Sequence, residues 1–281
     1  GHLVHMPSHI YIRTGDYHLG SLANIRAVEI DSQYVGACNA QGVYPLGYYP
    51  HNYHFLAATA TMEGNKEWAI KAANKVSDQA DRELMKDPVW GTLQHYYSIP
   101  YFVNVKFGQW DQILQMQNEN KELKYPEAIR HYARGFAFIA KKDFVNAVKE
   151  LDTLSILAKD SSLKEITIWY INSVHSIVQI AENVLRAELY ATEKKYEKSI
   201  SLLNEAVVLE DALNYNEPPD WFFSIRHHLG AVLIEAGNPE EAIQVYKKDL
   251  SWWPKNGWAL HGLKLAYEQT KDAKALKQVN E

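Results

Sequence analysis

Apolar residues recur along this chain at helical spacing, and short polar breaks interrupt them. The first break closes Ile10-Tyr11-Ile12-Arg13-Thr14-Gly15-Asp16-Tyr17. Others fall at Gly64-Asn65, Gly108-Gln109-Trp110, Lys142-Asp143-Phe144, Lys194-Lys195-Tyr196, Gly237-Asn238-Pro239 and, more weakly, Lys271-Asp272. At one fixed offset after these breaks stand Gly20, Ala69, Ile113, Ala147, Ser199 and Ala242, nearly all small. Periodicity of this kind predicts helices. The small residue lets the second helix of each pair approach the first closely. Each unit therefore reads as two antiparallel helices. One hairpin cannot bury both of its faces, so neighbouring hairpins stack. The expected fold class is all-α.

The clearest unit runs from Phe223 to Asn256. It carries Leu229-Gly230, then Ala236-Gly237-Asn238 at the break, Ala242 and Tyr246 in the second helix, and Pro254 at the end. These residues, in this order, resemble the tetratricopeptide repeat. The Gly108–Lys142 and Gly237–Lys271 intervals match that repeat's period of about 34 residues. The other intervals are longer, with insertions expected at Gln33–Tyr49, Lys86–Thr92, Ser161–Ile180 and Asn214–Asp220. The resemblance implies an α-solenoid over residues 1–281: a right-handed superhelix of about six hairpins with a terminal capping helix. A narrower likeness rests on His5-Met6-Pro7-Ser8-His9-Ile10-Tyr11, Tyr49-Pro50-His51-Asn52-Tyr53-His54-Phe55-Leu56, Glu217-Pro218-Pro219-Asp220-Trp221 and Pro254-Lys255-Asn256-Gly257-Trp258-Ala259-Leu260. Those stretches look like a bacterial group of large histidine-rich tetratricopeptide proteins. In that group another histidine-rich helix precedes this point. The chain opens with Gly1-His2-Leu3 inside an expected helix, so an upstream segment is expected, and any targeting signal would lie there.

Histidine makes the pattern more specific. Counting back from each break, His2, His51 and His95 stand thirteen residues before it, and His5, His54, His227 and His261 stand ten before it. Half of the positions at these two offsets are histidine, although the chain holds only 12 in 281 residues. Offsets three apart share one helix face, and His9 adds a third imidazole on the first helix. In tetratricopeptide proteins this face lines the concave groove, so the resemblance implies an inner wall rich in imidazoles.

Composition narrows the chemistry. Hydrophobic residues make up 47% of the chain, enough for a sizeable core. The formal net charge of −5 gives no basic surface for nucleic acid. The single cysteine, Cys38, excludes a disulfide framework and CxxC sites. No apolar run approaches a membrane span. A soluble protein is expected, cytoplasmic or periplasmic. The Trp residues fall where helices pack, which predicts core positions, and Gly42–Pro50 reads as an aromatic loop leading into His51.

Three readings of the histidines remain open at this level. Each can be a hydrogen-bonded polar residue of a helix face. His5, His9, His51 and His54 can ligate a divalent transition metal such as zinc, copper or iron, since neutral imidazole suits all three. Tyr11, Tyr48, Tyr53, Asp16 and Glu63 are then the candidates to orient the rings. The groove can instead bind a protein or peptide, with His2, Arg13, His95 and Phe102 as contacts and Arg13 gripping a carboxylate. No HExxH motif is present and no general base stands out. The expected function is a tetratricopeptide scaffold for a protein partner; the alternative is a metalloprotein with hydrolytic or oxidative activity.

Overall fold

A computed structural model describes residues 1–117 and 119–280 of the chain. The fold is all-α. The helices are α1 (His2–His5), α2 (Pro7–Thr14), α3 (Tyr17–Cys38), α4 (Tyr49–Met62), α5 (Lys66–Gln79), α6 (Gly91–Lys106), α7 (Trp110–Gln115), α8 (Lys124–Ala140), α9 (Phe144–Leu157), α10 (Val174–Thr192), α11 (Tyr196–Asp211), α12 (Arg226–Glu235), α13 (Pro239–Trp252), α14 (Gly257–Thr270) and α15 (Ala273–Asn280). A two-residue antiparallel pair, β1 (Thr167–Ile168) with β2 (Asn172–Ser173), sits between α9 and α10. No helix among the described residues is long and apolar enough to cross a membrane.

Every break read from the sequence is a helix–helix turn. Gly15, Gly64, Gly108, Lys142, Lys194, Gly237 and Lys271 all adopt positive φ, the left-handed conformation that ends a helix and reverses the chain. Asn65 and Asp143 then cap the next helix by accepting from Trp68 N–H and Asn146 N–H. The fixed-offset residues Ala69, Ile113, Ala147, Ser199 and Ala242 are fully buried. Successive helices pack in chain order, α3 on α4, α5 on α6, α6 on α8, α8 on α10 and α11 on α12.

Two features go beyond neighbour-on-neighbour stacking. The segment 212–225, between α11 and α12, lies across the histidine-bearing face. Asn172 of β2 clamps it, donating from Nδ2 to Asn214 O and to Asp220 Oδ2, both at 2.8 Å. Trp221 and Phe222 of this segment are buried, Trp221 against Phe102 and Tyr132 and Phe222 stacked on His54. The last hairpins also touch the first ones. Tyr17 Oη donates to Pro254 O at 2.8 Å, Trp258 Nε1 donates to Thr61 O at 3.1 Å, and Arg13 lies over the Trp253 ring.

Candidate metal centre

The site is built on α1, α2 and α4. Pro7 opens α2 and Pro50 lies in the first turn of α4, positions where a missing N–H costs nothing. Met6 keeps right-handed helical geometry between α1 and α2, so His5 and His9 stand one above the other on one face. His51, from the first turn of α4, meets them from the side. Ring centroids lie 4.9 Å apart for His5–His51 and 6.0 Å for His9–His51. One ligand nitrogen from each of the three rings lies within 4.8 Å of the other two.

Hydrogen bonding decides which nitrogen of His5 faces that point. Asn24 of α3 donates its amide to Ser8 Oγ at 3.0 Å and to Gly20 O at 2.7 Å. Its Oδ1 is thereby turned to His5 Nδ1 at 2.7 Å. An amide oxygen only accepts, so Nδ1 carries the proton and Nε2 carries the lone pair. His9 follows the same logic. Its Nδ1 lies 2.6 Å from the carboxylate Oε2 of Glu217, which leaves the lone pair on Nε2. The two Nε2 atoms are 3.0 Å apart. Two lone pairs at that distance repel unless a cation or a shared proton lies between them.

The surroundings disfavour a proton on His5 and on His51. Burial pushes His5 down to about 4, with the neighbouring imidazoles His9 and His2 adding to the effect and the Asn24 hydrogen bond opposing it. Burial first, then His5, His9 and His2, hold His51 well below its ordinary value. Phe55, one turn beyond His51, forms an apolar floor, with its ring 4.6 Å from His5 and 4.5 Å from His9. Neutral imidazole is the form a metal takes.

Glu217 is the most distant contributor in sequence. Its Oε1 accepts from Arg13 Nε at 2.5 Å while its Oε2 holds His9. Burial works to raise its carboxyl, but the hydrogen bonds from His9, Arg13 and Tyr215 prevail and hold it below the usual range. His9 and Arg13, one turn apart on α2, thus grip opposite oxygens of a single carboxylate.

The expected ligand set is only partly brought together. His5, His9 and His51 converge. His54 lies apart from them, stacked on Phe222 and edge-on to His95 at 5.4 Å, with neither ring nitrogen bonded to a described residue. The reason is a stagger: offset ten of one helix lies beside offset thirteen of the next, so His5 meets His51 and His54 meets His95. His95 is buried, with Nδ1 at 2.8 Å from Tyr125 Oη. His2 stacks on His5 and lies against Tyr48, outside the three-nitrogen group. Phe102 is buried against Trp221, and the carboxylate that Arg13 grips belongs to the same chain.

The orienting partners differ from those expected. Asp16 accepts from Thr14 and Lys255, and Glu63 pairs with His18. Asn24 and Glu217 hold the rings instead. Glu217 was visible only as part of a Pro-rich loop. Asn24 had a signal that periodicity supplies, a polar residue on the inward side of α3. No protein-family model matches this sequence, and no curated protein matches it, so the chain's own geometry carries its functional reading.

Proposed function

We propose that this protein is a metalloprotein that holds one divalent transition ion, zinc, copper or iron, on His5, His9 and His51. The observation that carries the reading is the pair of outer hydrogen bonds, Asn24 to His5 and Glu217 to His9, which turn two Nε2 lone pairs toward one point beside a third imidazole. Metal-ligating histidines commonly donate their other N–H to a carboxylate or carbonyl in this way. Tetrahedral zinc nitrogens stand roughly 3.3 Å apart, given bonds of about 2.0–2.1 Å. The 3.0 Å His5–His9 separation is close to that, and a His51 ring nitrogen lies within 4.8 Å of both. Three protein nitrogens leave a fourth position for water or a substrate oxygen, the arrangement of catalytic sites. Bound there, the ion would polarise a carbonyl or phosphoryl group or activate a water for hydrolysis.

The helical hairpins, which we read as tetratricopeptide-like, serve in this account as the frame that fixes the three rings. The scaffold alternative is weaker because segment 212–225 covers this face at His54, Phe102 and Tyr132, with Trp221 and Phe222 buried there. Thermal unfolding tests the metal reading. A saturating divalent ion at a hundredfold excess over its Kd stabilises by about 2.7 kcal/mol. The stabilisation is expected with the native protein and absent with His51→Ala. An equal shift in both would remove the support.

A further inference from the structure

A second chemistry-bearing site lies away from the three histidines. A cavity of about 590 Å3 opens between α6, α8, α10, α12 and α14, well within the size range of small-molecule sites. Its walls are aromatic: Phe102, Trp110, Tyr132, Phe136, Trp221 and Trp258 all line it. Lys106, at the end of α6, is the only amine brought to these walls among the described residues.

The Lys106 amine is not a free surface charge. Its Nζ lies 2.8 Å from His227 Nδ1 and 4.5 Å from the centre of the Trp258 ring. His227 Nε2 in turn lies 3.0 Å from Asp249 Oδ2. Asp249 is buried and also accepts from Asn256 Nδ2 at 2.6 Å. The carboxylate fixes the tautomer: Nε2 carries the proton and Nδ1 offers its lone pair to the amine. This carboxylate–imidazole–amine line has the logic of an activated nucleophile, with a base at hydrogen-bond reach and a third group orienting the base. Burial pushes the Lys106 ammonium down to about 7, against the opposing pull of Asp249. The other charged or titratable groups on the cavity walls are Glu188, His228, Glu235 and His261.

We propose that Lys106 is a nucleophilic amine that captures an apolar aldehyde or ketone in this cavity as a covalent imine. His227 Nδ1, held neutral by burial and by the Lys106 charge with Asp249 opposing, takes a proton from the ammonium only transiently, and Asp249 stabilises the short-lived imidazolium. The freed nitrogen pair attacks the carbonyl carbon, forming the C–N bond while the C–O π pair moves to oxygen. The oxygen takes back the proton from His227 and, with the second proton shed by nitrogen, leaves as water. Ammonium and carbonyl become protonated imine and water; His227 begins and ends neutral. The aromatic walls hold the apolar body of the ligand against this end of α6.

The test uses the full chain with 2-naphthaldehyde and sodium cyanoborohydride at pH 7, in the presence of a chelator so that the metal site plays no part. Peptide mapping by mass spectrometry locates the reduced adduct. The expected result is one adduct on Lys106, formed at least about tenfold faster than on any exposed lysine, whose amine at pH 7 is almost all protonated. Its rate is half-maximal near pH 7. His227→Gln, with an unchanged circular dichroism spectrum, slows the labelling about a hundredfold, as loss of a general base does. In the unmutated protein, 2-naphthylmethanol suppresses labelling of Lys106 and not of surface lysines. Equal or faster labelling of exposed lysines overturns the proposal, as does a Lys106 rate that climbs to about pH 10.4 like that of an ordinary lysine.

Discussion

At the scale of single residues, the proposed metal centre depends on two hydrogen bonds that reach the histidines from outside. Glu217→Gln weakens the grip on His9 and disturbs Arg13; Asn24→Leu removes the acceptor of His5. Each is expected to lower divalent-metal affinity about 10- to 100-fold, read by isothermal titration, while the helical spectrum is retained. Unchanged affinity in both would mean that the rings are oriented by something else. Buried imidazoles also set a pH dependence. Burial pushes His95 down to about 3, so between pH 6.5 and 3 the unfolded chain binds a proton that the folded one refuses. Its contribution, roughly 5 kcal/mol by linkage, is fully present above pH 6.5 and is lost as pH falls through that window. Urea midpoints from pH 7.5 to 4 are expected to fall steadily, and less steeply in His95→Gln. The histidines themselves were legible because they recur at two offsets from the breaks. Glu217 was not, because it lies 208 residues from the ring it holds, and no local pattern announces so distant a partner.

Helices and turns follow from the sequence more directly. Turn position is a local property: all seven breaks take up left-handed backbone, even where the residue is Lys142, Lys194 or Lys271. Burial of the fixed-offset small residue is local too. The stagger between adjacent helices is not, because it depends on how side chains interlock. That is why the spacing predicts the shared face but not the pairing within it, and why His54 faces His95 instead of the His5 group. One interlock is especially tight. Tyr246 of α13 lies between Gly230 of α12 and Gly262 of α14, and a Cβ at either glycine would come within 2.3 Å of its ring. Gly262→Ala is expected to destabilise the protein by about 1–3 kcal/mol through overpacking, seen as a lower urea midpoint at unchanged slope. A neutral result would show that Tyr246 can swing aside. The insertion expected at Ser161–Ile180 gives no sign of the β1–β2 pair whose Asn172 fastens segment 212–225, and α10 already begins within it at Val174.

Across the whole molecule, the contacts that make the site bring together residues far apart in the chain. Segment 212–225 carries Glu217 to α2, and Pro254 and Trp258 meet the first hairpins. The three rings are therefore held by the frame as a whole, and the frame's closure was not readable from repeats that specify only neighbour contacts. The same closure places Lys106 against His227 and Asp249. The most direct test of the central claim is X-ray absorption at the metal edge of protein loaded with one equivalent of zinc and then desalted. The account predicts one retained ion with three imidazole nitrogens at about 2.0–2.1 Å and one further light atom, reduced to loosely held metal in His51→Ala. Zinc lost on desalting, or a coordination shell that His51→Ala leaves unchanged, would contradict it.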